Sequence, residues 1–257
     1  MIKLFTFATS PYARKARMVL DYKQIPYESV ERCYSLDRKE DLKAAYDRAE
    51  VPAIVLEDGQ IIGDSTIICE FLEEAFPKPA LMPRDPKQRA RMRKIEDLCD
   101  RSFDAAIFGY FLAVVRNAEP EAEQMRLAAR NELTKLAKRL ERELGTNQFF
   151  CGDISVADIA VVPYVASLPA MEIMLTDFPS LSAWLKRIRE VPAVSADLAR
   201  VAEAMRHMKD LKSEFEGPDG RVHWRDSRLE WPIRHGFIDL VAREFAAGKM
   251  MFPPDAA

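Results

Sequence analysis

Three short segments carry residues whose types and spacing could do chemistry. In "ATSPYARKARMVL", residues 8–20, Ser10 precedes Pro11 and an apolar stripe of Ala16, Val19 and Leu20, interrupted by Arg14, Lys15 and Arg17. Serine before proline suits a helix start on structural grounds alone, the hydroxyl capping and the proline filling the first helical position. The same geometry makes an anion site, because free N–H groups and the positive end of the helix dipole converge on the serine side chain. A thiolate placed there would be stabilised and its pKa lowered. Val51-Pro52 is either a trans proline opening an edge strand or, if cis, a turn that leaves the Val51 N–H and C=O to pair with an extended, peptide-like ligand. Asp64-Ser65 either caps a helix or offers a carboxylate and a hydroxyl to the ammonium and carboxylate of an amino acid.

The elements around these segments follow from periodicity. "IKLFTF" alternates and is rich in β-formers, which predicts a strand over about residues 2–7. A helix is expected from Pro11 to about Lys23, a second strand in "PYESVER", and a short polar helix in "DRKEDLKAAYDR". "PAIVLEDGQIIG" reads as a hairpin with Asp58-Gly59 at its turn. "DSTIICEFLEEAF" returns to helical spacing through Ile67, Ile68, Phe71, Leu72 and Phe76. The first 76 residues thus read β-α-β-α-β-β-α.

"PKPALMPRDP" is a proline-rich linker, and beyond it the pattern changes. One continuous helix is expected from Lys87 to Arg116, and further helices over 120–144, 155–171, 179–190 and about 193–212, with no strands. In "ISVADIAVVPYV", Ser155 and Asp158 stand at the reciprocal positions of a capping box, a structural motif. The last 45 residues hold two of the three tryptophans and an amphipathic stretch around 236–247. Trp224, Trp231, Phe237, Ile238 and Leu240 carry too much apolar surface for a solvated tail, so this extension should pack on the helical body.

A composition 48% hydrophobic and 31% charged is that of a globular chain, and a net charge of −3 points neither to nucleic acid nor to an anionic membrane. No stretch approaches the roughly 20 apolar residues of a membrane span, and "MIKLFTFAT" is too short for a signal-peptide core. The scattered Cys33, Cys69, Cys99 and Cys151 form no CxxC and read as reduced residues of a cytoplasmic protein rather than as metal ligands; no metal is expected.

Taken together, these segments resemble those of the cytosolic glutathione S-transferases over most of the chain. "SPYARKARMVL" is similar to the active-site segment of the omega and tau classes, with serine where the omega class has cysteine; "VPAIV" resembles the cis-proline segment, and "DSTIICEFLEE" the acid-serine helix start. The resemblance implies an α/β thioredoxin-like N-terminal domain (1–77), an all-α C-terminal domain (87–212) and an unmatched extension (213–257). It implies glutathione as co-substrate, Ser10 as the residue that stabilises its thiolate, and Val51, Pro52, Asp64, Ser65 and Lys39 as its binding residues. A small hydrophobic electrophile would lie near Tyr12, Phe103, Ile107 and Tyr110, although Tyr12 also reads as a surface residue and the others as bundle core. A homodimer with a role in detoxification is implied as well.

Serine cannot exchange disulfides as a cysteine can, so the expected chemistry is thiolate attack on carbon: conjugation, dehalogenation or ether cleavage. One departure stands out. Ala49-Glu50 replaces the Gly-Lys/Gln that many members carry before Val-Pro, and an acid there should repel the tripeptide's glycyl carboxylate. Arg48 or Lys39 could compensate; otherwise the chain is a non-catalytic binding or interaction protein of the same fold.

Overall fold

A computed structural model describes residues 1–31, 50–115, 120–206 and 222–252. Lys39, Ala49 and the polar helix expected over "DRKEDLKAAYDR" lie outside the described residues.

The N-terminal part is a four-stranded sheet ordered β2-β1-β3-β4, built from β1 (Ile2–Thr6), β2 (Tyr27–Glu31), β3 (Ala53–Val55) and β4 (Ile61–Gly63). β2 runs parallel to β1, and β3 antiparallel to both β1 and β4. The β3–β4 turn needs Gly59, whose φ of +88° few side chains tolerate. Helices α1 (Pro11–Tyr22) and α2 (Ser65–Ala75) complete a thioredoxin-like unit.

The remainder is helical: α3 (Pro86–Asp97), α4 (Asp104–Val115), α5 (Ala122–Leu144), α6 (Val156–Val165), α7 (Pro179–Ile188) and α8 (Pro192–Arg206). The helix expected to run unbroken from Lys87 is in fact divided: residues Leu98–Phe103 form a π-helical turn between α3 and α4. The helix expected over 155–171 ends at Val165 and is followed by a 3₁₀ turn, Leu168–Met171. The capping box is present at α6. Asp158 accepts from the Ser155 N–H at 3.0 Å, the Phe150 N–H at 3.1 Å and the Trp184 indole at 3.0 Å, tying three segments to one buried carboxylate.

In the extension, α9 (Asp226–Arg234) precedes α10 (Ile238–Ala246). Two short strands, β5 (Val222–His223) and β6 (Met250–Met251), pair in parallel within the extension, beyond the helical domain expected over 87–212. Trp224, Trp231, Phe237 and Leu240 are buried in the main core, whereas Ile238, expected with them, is exposed at the start of α10. Cys69 and Cys99 are free and buried. Among the described residues no helix is long and apolar enough to cross a membrane, and no cluster of His, Cys, Asp or Glu could hold a metal ion.

α1 joins the two halves. It is buried from Tyr12 to Leu20 although three of its residues are cations. Arg14 and Arg17 both reach Asp197 of α8, at 2.8 Å and 2.6 Å, and Lys15 reaches Glu96 and Asp100, at 2.7 Å and 2.5 Å. With Lys15 and Arg17 only 1% and 2% exposed, these charges bind the sheet domain to the helical one and do not face water.

Candidate functional site

Strand register brings the three chemical segments to one end of the sheet. Phe5 pairs with Ala53 and Ala53 with Gly63, so the end of β1, the start of β3 and the end of β4 lie side by side. Ser10 follows β1, Val51-Pro52 precedes β3, and Asp64-Ser65 follows β4.

Ser10 is the N-cap of α1, with extended backbone angles and Pro11 behind it. Its Oγ accepts from the Ala13 N–H at a long 3.4 Å. A cap uses only a lone pair; a serine hydroxyl also carries a donor, so capping leaves the O–H for an anion at the helix start. The residue is 7% exposed. Val51-Pro52 is cis. Asp64 caps α2 from a positive φ of 72°, and its Oδ1 accepts from the Thr66 N–H at 2.8 Å and the Ile67 N–H at 3.3 Å. Both bonds fall on the same oxygen. Ser65, at the first position of α2, is buried.

Next to this edge lies a cavity of about 470 Å³ to which α1, α2, α3, the π turn and the extension all contribute, among them Tyr12, Asp64, Thr66, Asp100, Arg101 and Arg225. Most of these are residues that sequence reasoning did not single out. Lys15 forms the floor of the network, bonded to Glu96, Asp100 and, at 3.2 Å, the Thr66 hydroxyl. Burial alone would lower its pKa, but Asp100 and Glu96 outweigh burial and hold it above the ordinary range. Burial raises the Asp100 carboxyl to about 6 in spite of Lys15. Tyr12, allowed as a surface residue on sequence grounds, is instead buried and donates its hydroxyl to the Asp100 carbonyl at 2.7 Å. Burial, with the nearby Asp104 charge, drives its pKa well above the usual phenol value, so it is no acid at neutral pH.

Tyr12, Phe103, Ile107 and Tyr110, expected around one apolar electrophile site, do not share a single cavity. Phe103 is fully buried, 5.8 Å from the Tyr164 ring, and belongs to the core. Ile107 is partly buried against the same core. Tyr110 lines a separate cavity of about 370 Å³ with Arg126, Arg130 and Glu172. The extension packs on α4 through Asp104, Phe108 and Gly109. Trp224 meets Phe108 edge-on at 5.3 Å, and Arg228 lies 4.6 Å from the same ring while binding Asp104 through two bonds of 2.7 Å and 2.9 Å. The cavity beside Tyr12 is lined mainly by charged residues, where an apolar lining was expected.

Glu50 is not left to repel an anion. Arg225 meets it with a hydrogen bond from Nε to Oε1 at 3.2 Å and an ion-pair contact of Nη2 to Oε2 at 3.1 Å, and lies 4.6 Å over the Tyr12 ring. This partner of Glu50 comes from the extension; Arg48, like Lys39, lies outside the described residues. The one sequence signal for it was the run of arginines interleaved with tryptophans at residues 224–234.

Comparison with known proteins agrees with this frame. Residues 4–80 match the model for the glutathione S-transferase N-terminal domain, and residues 103–192 that for the C-terminal domain. The chain is 31% identical to pyrimidodiazepine synthase of Drosophila melanogaster over 76% of this chain and 80% of that protein. The chain belongs to the glutathione S-transferase family. It is also 28% identical to glutathione S-transferase omega-2 of Rattus norvegicus, over 76% of this chain and 78% of the relative. Among solved structures it is similar to the β-etherase LigF from Sphingobium sp. strain SYK-6, with 26% identity and a TM-score of 0.64 over 77% of this chain and 99% of that one. The thioredoxin-like and helical parts are those of this family; the relatives leave about a quarter of the chain unmatched.

Proposed function

We propose that the protein is a glutathione transferase in which Ser10 stabilises the glutathione thiolate for attack on an electrophilic carbon. The observation that carries this reading is the convergence of Ser10, Val51 and Asp64 at one sheet end, shown by register. The Val51 backbone would pair with the cysteinyl unit. Asp64 would take the γ-glutamyl ammonium on the oxygen its cap leaves unused, with Ser65 at the start of α2 beside the γ-glutamyl carboxylate. Ser10 would donate its O–H to the sulfur at the positive end of α1, favouring thiolate over thiol.

In the step itself the sulfur lone pair forms a C–S bond as the bond from that carbon to its leaving group breaks. The leaving group, a halide or an aryl ether oxygen, departs with the electron pair, and the thiol proton has already gone to solvent. The family membership supports a glutathione-dependent reaction, and the likeness to a β-etherase makes ether cleavage a natural member of the set. The Arg225 pairing answers the repulsion that Glu50 posed, and with it the main reason to prefer a non-catalytic binding protein. The protein is taken to act as a cytoplasmic homodimer, in keeping with its family.

Retention on immobilised glutathione, with elution by free glutathione, tests the binding. Glutathione-dependent release of halide or phenol from aryl halides and aryl ethers tests the reaction. A chain that passes straight through the column and consumes no electrophile would return it to the non-catalytic class.

A further inference from the structure

The extension does more than cover α4. Arg225, Asp226 and Ser227 form one side of the 470 Å³ cavity, and among the described residues Arg225 is the one cation that the extension contributes there. Its guanidinium plane is fixed on two sides, by the Tyr12 ring and by the two-pronged contact to Glu50. Glu50 takes Nε in a hydrogen bond and lies 3.1 Å from Nη2, so among the described residues the Nη1 edge faces away from it with donors to offer.

The acids around the cavity lie mainly on the other elements. Glu96 and Asp100 share Lys15, Asp97 faces Arg101 at 4.0 Å, Asp64 caps α2, and Asp226 follows Arg225 in the chain. One region thus suits an ammonium group and the Arg225 region suits an anion.

We infer that Arg225 binds a carboxylate of the reacting molecules, making the C-terminal extension part of the substrate site. This rests on the glutathione-dependent reading above. Two sources present the same chemistry, the glycyl carboxylate of glutathione and a carboxylate on the electrophile. Arg225 serves either in two ways: it cancels the Glu50 charge beside Val51 and it offers a planar donor edge that lysine lacks.

The test uses the full chain with Arg225→Gln and Arg225→Lys. Calorimetric titration compares glutathione with its glycyl monoethyl ester, which keeps the whole tripeptide but lacks the glycyl charge. Steady-state kinetics compare 4-chloro-3,5-dinitrobenzoate with its methyl ester. Arg225→Gln is expected to weaken the carboxylate-bearing member of one pair by at least about tenfold, through Kd or KM rather than kcat, and to leave the other member within about twofold. Arg225→Lys should recover part of the loss. A selective loss in the thiol pair identifies the glycyl end, and one in the benzoate pair identifies the electrophile.

Equal losses for both members of both pairs, accompanied by a lower Tm, would mean that Arg225 only fastens the extension, and would overturn the inference. No change in either pair would also overturn it. If wild type binds neither thiol, the glutathione reading falls together with this one; if it binds both and Arg225→Gln matches it throughout, this inference falls alone.

Discussion

The indole of Trp231 occupies the space that any side chain at Gly109 would need. A Cβ added to Gly109 would meet Cζ3 at 2.3 Å, Cε3 at 2.6 Å and Cη2 at 2.7 Å, all on a ring fully buried in the core. Gly109 is therefore the seat of the extension on α4, and its lack of a side chain serves packing, not backbone freedom.

Gly109→Ala should unseat the extension without disturbing the sheet domain. A helical alanine is by itself favourable by roughly 1 kcal/mol over glycine, so any loss reports the clash with Trp231. The expected result is a red-shifted tryptophan emission and faster proteolysis near residues 222–252. An unchanged emission spectrum and proteolytic pattern would show that the ring relocates at no cost.

Much of the frame was legible in the sequence because it rests on short periods. Alternation in "IKLFTF", the Asp58-Gly59 turn, and the Ser10-Pro11 and Asp64-Ser65 helix starts are local signals, and each is found where it was read. The π turn was hidden because Leu98, Cys99 and Phe103 keep an apolar face whether or not one turn holds an extra residue. α9 was missed because Pro232 lies inside it. The polar network was invisible for a different reason. Arg14, Lys15 and Arg17 look like a solvated helix face, and nothing local reveals that their acids stand 81 to 183 residues away.

Ser10→Ala separates the two roles of one hydroxyl. Losing a weak cap costs about 1 kcal/mol of stability at most, while losing a donor to the thiolate should lower kcat/KM for glutathione conjugation at least tenfold, about 1.4 kcal/mol. Ser10→Cys should gain reaction with small disulfides, since it puts a thiol at a helix start. A stable and fully active alanine variant would confine Ser10 to capping.

Asp64→Asn keeps an acceptor for the Thr66 and Ile67 amides but removes the charge. Unfolding by urea should change little, whereas the glutathione KM should rise more than kcat falls, because an ammonium contact serves ground state and transition state alike. A fall in kcat with KM unchanged would assign Asp64 another part in the reaction.

Asp100 predicts a pH dependence with a defined sign. Its carboxyl lies at about 6, above the ordinary 3.8, so the native state holds this proton more tightly than the unfolded chain does. That contribution is present at pH below about 4 and is lost as the pH rises through about 6. Wild type should therefore lose stability relative to Asp100→Asn across that window, as urea unfolding at constant ionic strength would read. A difference that grows in favour of wild type instead would mean that the Lys15 charge overrides burial.

The cations of α1 make the proline-rich linker a poor place to cut. A fragment ending there would keep Arg14, Lys15 and Arg17 but leave behind Asp197, Glu96 and Asp100, the carboxylates of their ion pairs. Hybrids with relatives face the same condition. An N-terminal half carrying these three cations is interchangeable only with helical halves that present acids at the matching places, so inheritance of the two halves is coupled by charge even though each has its own secondary structure.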